Sequence, residues 1–120
     1  MEYVVYIIIG LLILFMISRM LPVKGVKNLS PNEIEPKLKD RKVQFIDVRT
    51  PGEYKSDHVK QFKNLPLQSL KNQINTLDKN KEVVVICRSG SRSMNACRLL
   101  KKEGFNHLTN VRGGMNVWRG

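Results

Sequence analysis

Val83-Val84-Val85-Ile86-Cys87-Arg88-Ser89-Gly90-Ser91-Arg92-Ser93 is the stretch that decides the fold. Its first four residues form a continuous β-branched run, the pattern of a central strand covered on both faces. A short loop of small and basic residues follows, and then an amphipathic stretch, Ser93 to Glu103, closed by Gly104 at the position where a helix turns left-handed. In open α/β sheets, ligands sit just beyond such strand ends.

The loop carries its own chemistry. Gly90 and the serines let the backbone curl so that successive N–H groups converge on one point. The helix that follows adds unpaired N–H groups and about half a unit of positive charge. Arg88 and Arg92 add two cations. A Cys87 thiol at the centre of that field is favoured as thiolate, and the same donors, with Ser89, Gly90 and Ser91, would stabilise an anionic group carried on the sulfur. Two jobs are open to such a loop. It can hold a persulfide and transfer sulfur, or hold a phosphate or arsenate and catalyse attack on it.

Working outward, short apolar runs alternate with amphipathic stretches. Ser30-Pro31-Asn32-Glu33 is a helix start, with Ser as cap, Pro first and Glu reaching back. Val43 to Val48 is expected as a strand with Asp47 near its end, Phe62 to Leu65 as a short one, and Leu108 to Val111 as another. Pro66 to Leu77 reads as one helix with Leu67, Leu70, Ile74 and Leu77 on its apolar face. Gly113-Gly114 opens a last short helix containing Trp118. Strands alternating with helices imply a parallel sheet flanked by helices on both faces.

The N-terminus reads differently. Tyr3 to Ile17 carries no charge, and the run to Leu21 is interrupted only by Ser18 and Arg19. It is expected to be a transmembrane anchor over residues 1–21, near the ~20 residues that cross a bilayer. Residues 22–27 then form a linker and residues 28–120 the folded domain. Arg19, Lys24 and Lys27 follow the apolar run, so the positive-inside bias predicts a single-pass protein with its C-terminal domain in the cytoplasm.

The chain has 120 residues, 42% hydrophobic and 26% charged, with a net charge of +11. About a hundred residues beyond the anchor suffice for one modest core. The positive balance points to an anionic partner: a lipid surface, a small anionic substrate or nucleic acid. Zinc-finger spacing, aromatic RNA-binding strands and basic heptads are all missing, which argues against nucleic acid. Cys87 and Cys97 form no Cys-x-x-Cys pair and have no His at metal-ligand spacing, so neither a metal nor a cofactor is expected. Ten residues apart, on or near one helix, they are too distant for a disulfide. Both thiols are read as free, Cys97 as core packing, His58 as part of a loop and His107 as a surface turn residue.

Four separated motifs, in order, resemble the single-domain rhodanese (sulfurtransferase) family over Val26 to Gly120. They are Phe45-Ile46-Asp47-Val48-Arg49 with Glu53-Tyr54; Asp57-His58-Val59 through Asn64-Leu65-Pro66-Leu67; the Cys87 to Ser93 loop; and Gly113-Gly114-Met115-Asn116-Val117-Trp118. The resemblance implies a rhodanese-like α/β fold and a Cys87 persulfide. Sulfane sulfur would arrive from thiosulfate or a similar small anionic donor and leave to cyanide, a thiol or a protein acceptor. It implies backbone amides of Arg88 to Arg92 around the sulfur, with Asp47, Arg49 and Ser93 in support. It also implies sulfur rather than phosphate, because Cys87 to Arg92 spans six residues, where the family's phosphatases have one more. Asp57 and Gln61-Phe62 replace the family's usual glycine and Gly-Ala, so that connection should take another path. The competing reading is a non-catalytic or redox-sensing rhodanese-like module, with a phosphatase or arsenate reductase behind it.

Overall fold

The computed structural model describes residues 2–20 and 24–118. Its elements run α1 (Glu2–Met20), β1 (Val26–Leu29), α2 (Pro31–Ile34), β2 (Gln44–Asp47), α3 (Pro51–Ser56), β3 (Lys63–Asn64), α4 (Leu70–Gln73), β4 (Val83–Ile86), α5 (Ser91–Lys102) and β5 (Leu108–Val111). All strand pairs are parallel, in the order β1-β5-β4-β2-β3. The β-branched run is the central strand, with Val83, Val84, Val85 and Ile86 all fully buried.

Strand alternation sorts the core into two halves. Val83, Val85 and Cys87 face one side with Ile46, Leu108 and the helix residues Leu70, Ile74, Ala96, Cys97 and Leu100. Val84 and Ile86 face the other with Ile34, Phe45, Phe62 and Val111, against which Trp118 packs. The Phe62 ring meets Phe45 edge-on at 5.2 Å and Trp118 at 5.9 Å. The expected sheet covered on both faces is therefore present.

Several elements differ from the sequence reading. Val26–Leu29, half of it read as linker, is the edge strand of the sheet beside β5. Only Lys24 and Gly25 remain of that linker among the described residues; Pro22 and Val23 lie outside them. Pro51–Ser56 is a helix that the reading passed over. The expected Pro66–Leu77 helix is broken into a 3-10 turn, the four residues of α4 and a second 3-10 turn; Leu70 and Ile74 are buried in the core and Leu67 and Leu77 pack against it, so the expected apolar face is kept. After Ile34 the chain tightens to 3-10 geometry at Glu35–Lys39, where Pro36 supplies no N–H to an α-helical ladder.

The largest correction is at the N-terminus. Residues 2–20 are helical, but among the described residues no helix is long and apolar enough to cross a membrane. The run Tyr3 to Ile17, up to its interruption by Ser18 and Arg19, is 15 residues. At a rise of ~1.5 Å per residue it reaches about 22 Å, short of a ~30 Å hydrocarbon core. The single-pass anchor, and the cytoplasmic placement of the domain that rested on it, are overturned. The large apolar side chains from Tyr3 to Ile17 are exposed, from 47% at Ile9 to 80% at Tyr3, and none of them is among the buried core residues.

Candidate active site

Cys87 is the first residue beyond β4, and α5 begins four residues later at Ser91. That start is two residues earlier than the sequence implied, so Ser91 and Arg92 belong to the first helical turn. Gly90 caps α5 at φ +105, with no side-chain cap bond. A left-handed residue here turns the chain back sharply, and only glycine takes that angle without strain. The turn brings the Gly90 N–H onto Cys87 Sγ at 2.9 Å. The thiol itself donates to Ser93 Oγ at 3.3 Å. Cys87 and Ser93 are both fully buried, whereas Arg88, Ser89 and Ser91 are exposed.

The loop is held from beneath by the second half of Gly113-Gly114. Met115 N–H donates to Cys87 O at 2.8 Å and Asn116 N–H to Arg88 O at 2.9 Å. A Cβ on Gly114 would lie 2.2 Å from Cys87 O, and its φ is +55, so no other residue fits. The pair reads in sequence as a helix opening; its closeness to Cys87 follows from β5 lying beside β4.

Glu53 is the site residue that the sequence reading did not assign. It sits at the third position of α3, where its carboxylate accepts from Thr50 N–H and Thr50 Oγ1, both at 3.1 Å. The same carboxylate grips Arg92 through two bonds, Nη1 at 2.6 Å and Nη2 at 2.9 Å. Arg88 Nε lies 3.8 Å away. The Arg92 bonds above all hold the Glu53 carboxyl down at about 2, and Glu53 in turn raises Arg92. The signal was present: Thr50-Pro51-Gly52-Glu53 repeats the pattern of Ser30-Pro31-Asn32-Glu33.

Asp47 and Arg49 are buried and pair with each other, Arg49 Nη2 lying 2.8 Å from Asp47 Oδ2. Arg49 Nη2 also donates to Asp57 O at 2.5 Å, and Asn64 Nδ2 ties the carbonyls of Asp47 and Arg49. Their hydrogen bonds stay in the connection that carries α3; towards the Cys87 loop, the Asp47 charge acts on Arg92, and Arg49 lines a cavity with Arg88. His58 is exposed and stacks on Tyr54 at 3.9 Å, with Nδ1 2.7 Å from Tyr54 O. It lines a separate cavity of about 580 Å³ with Glu35, Leu38 and Trp118. A cavity of about 450 Å³ opens beside the Cys87 loop, lined by Arg49, Gly52, Glu53, Arg88 and Asn116 among others. Cys97 is buried behind the loop, and burial first, then the neighbouring Cys87, pushes its thiol up to about 12. It stays a neutral core residue at ordinary pH.

Residues 30–120 match the Rhodanese-like domain family, and the chain belongs to it. It is 38% identical over 96 residues to the putative sulfurtransferase YtwF of Bacillus subtilis, covering 79% of this chain and 92% of that protein. It is 31% identical over 94 residues to a sulfurtransferase of Allochromatium vinosum, covering 78% and 88%. Among solved structures, the rhodanese-like domain protein from Staphylococcus aureus aligns at a TM-score of 0.71 and 31% identity, covering 78% of this chain and 91% of that one. The family read from the four motifs therefore holds; the membrane anchor joined to it does not.

Proposed function

We propose that the protein is a sulfurtransferase working through a persulfide on Cys87. The observation that carries this reading is the Gly90 N–H aimed at Cys87 Sγ at 2.9 Å, inside a loop opening onto a helix start. The Cys87 thiolate attacks the outer sulfur of thiosulfate or a similar small anionic donor. A new S–S bond forms, the donor's S–S bond breaks, and sulfite leaves with the electron pair. A cyanide, thiol or protein acceptor then attacks the outer sulfur and restores the Cys87 thiolate. The loop amides between Arg88 and Arg92 support the anionic sulfur, and Arg88, two-thirds exposed, meets the donor at the mouth of the cavity. The six-residue span from Cys87 to Arg92 favours sulfur over phosphate. No cofactor or nucleic acid enters this scheme.

Full burial of Cys87 favours one other reading, a redox-sensing or binding module whose thiol is shielded at rest. The test is to incubate the full chain with thiosulfate, remove the excess and weigh the intact protein. A gain of one sulfur, lost on adding cyanide and absent in Cys87→Ala, establishes the half-reaction. An unchanged mass with thiosulfate and with other sulfane donors overturns it and leaves the binding module.

A further inference from the structure

Asn110 is a polar residue in a place that the fold reserves for apolar ones. It lies in β5, 3% exposed, on the sheet face covered by α5, directly beside Val85 of β4. Buried polar groups of this kind are the informative exceptions in a core. On its other side the register pairs it with Asn28 of β1. The two amides form a row that ends at the thiol. Cys87 S–H donates to Ser93 Oγ at 3.3 Å, Ser93 O–H donates to Asn110 Oδ1, and Asn110 Nδ2 donates to Asn28 Oδ1 at 2.9 Å.

Every bond in this row points away from the sulfur, which suits a thiol and not a thiolate. A hydroxyl has one proton. Once the Cys87 proton leaves to solvent, Ser93 can stabilise the sulfur anion only by turning that proton towards it. Gly90 O, the other acceptor within reach of Ser93 at 3.0 Å, keeps the Met94 N–H. Asn110 Oδ1 would lose its donor, since among the described residues it accepts only from Ser93. It would then face the lone pairs of Ser93 Oγ across a hydrogen-bond distance.

We infer that Asn110 and Asn28 are positioning residues that reverse together as Cys87 changes between thiol and anionic sulfur. In the reversed row Asn28 Nδ2 donates to Asn110 Oδ1, Asn110 Nδ2 donates to Ser93 Oγ, and Ser93 O–H donates to the sulfur. Each buried polar atom keeps a partner in both states, which an apolar or an acceptor-only residue could not provide. Asn28 lies on the edge strand and is only partly buried, so it has room to turn. The inference rests on Cys87 being the reacting nucleophile, as proposed above.

Asn28→Asp tests it at the end of the row away from the sulfur. A carboxylate at residue 28 can only accept, so it holds Asn110 Nδ2 towards itself and Asn110 Oδ1 towards Ser93. The charged and titratable groups around Cys87 are untouched: Arg92 and Cys97 on α5 act on it directly, and Glu53 on α3 and Asp47 at the end of β2 act on Arg92. Iodoacetamide labelling of the full chain, read by mass on the peptide containing Cys87, needs no sulfur donor. Labelling at pH 7 is expected to fall about tenfold, with rates converging on wild type near pH 10, the size of one hydrogen bond to a charged group. Lys27→Glu, which adds negative charge on the exposed neighbour, is expected to stay within about twofold because an exposed charge is screened. An unchanged rate in Asn28→Asp, an equal fall at both pH values, or an equal fall in Lys27→Glu would each overturn the inference. Normal labelling behaviour in a protein that never gains sulfur would sink the sulfurtransferase reading alone.

Discussion

Ser30-Pro31-Asn32-Glu33 and Thr50-Pro51-Gly52-Glu53 are two copies of one local instruction. Each starts a helix with a hydroxyl cap, a proline and a glutamate that reaches back to the cap N–H, at 3.2 Å for Glu33 and 3.1 Å for Glu53. Their surroundings differ. The Glu33 side chain is 52% exposed and its cation, Arg112, stands 3.7 Å away, itself 65% exposed. The Glu53 side chain is 22% exposed and takes Arg92 in two short bonds. Glu33 is lowered mainly by the Ser30 backbone, so its acidity belongs to the cap. Glu53 is lowered mainly by Arg92, so its acidity belongs to the site. A local motif becomes part of a site when the sheet order brings a functional loop within its reach, here β2 beside β4.

Glu53→Gln should break that contrast most visibly. With one oxygen replaced by an amide, the fork to Arg92 is lost, and persulfide formation is expected to slow at least about tenfold through misplacement of the loop. Glu33→Gln should leave the transfer rate at wild type. Stopped-flow or mass-resolved rates with thiosulfate check both, and equal effects would mean that Glu53 acts only as a cap. Arg92→Lys comes next. It keeps the charge but not the bidentate geometry, so unfolding in urea should show a loss of about 1 kcal/mol, held down because Arg92 is a third exposed.

The pH dependence sharpens the same comparison. The Glu53 carboxyl is held at about 2 in the folded chain against an ordinary 4.5. A carboxyl lowered by folding contributes its full stabilisation above the unfolded value and loses it as pH falls through the folded one. The stability gap between wild type and Glu53→Gln should therefore be flat above about pH 5 and close progressively towards pH 2. Thermal unfolding across that range measures it, and a gap that closed above pH 5 would show another group to be responsible. The smallest effect on transfer is expected at the cap hydroxyl, where Thr50→Ala should cost about 1 kcal/mol by urea unfolding. Ser30→Ala should lower stability too, and neither should alter transfer beyond what stability explains.

Much of this protein was legible in one dimension because it is set by neighbours in the chain. The VVVI run demanded a doubly covered strand, Gly90 a turned loop beside Cys87, and Ser30-Pro31 a helix start. Four motifs in order named the family. The second helix start was equally legible and was passed over. The edge strand Val26–Leu29 was not, since four residues with one exposed lysine carry little periodic signal until β5 lies beside them. The N-terminal run misled for a related reason: apolar composition was plain, but length sets whether a helix spans a bilayer, and the uncharged run is too short. Only the tertiary structure decided that Glu53 holds Arg92, that Gly114 supports the Cys87 carbonyl, and that Asn28 and Asn110 stand in line with the thiol. Those residues lie 39, 27, 59 and 23 positions from their partners or from Cys87. Strand order and register, which depend on how the whole core packs, are what bring them together.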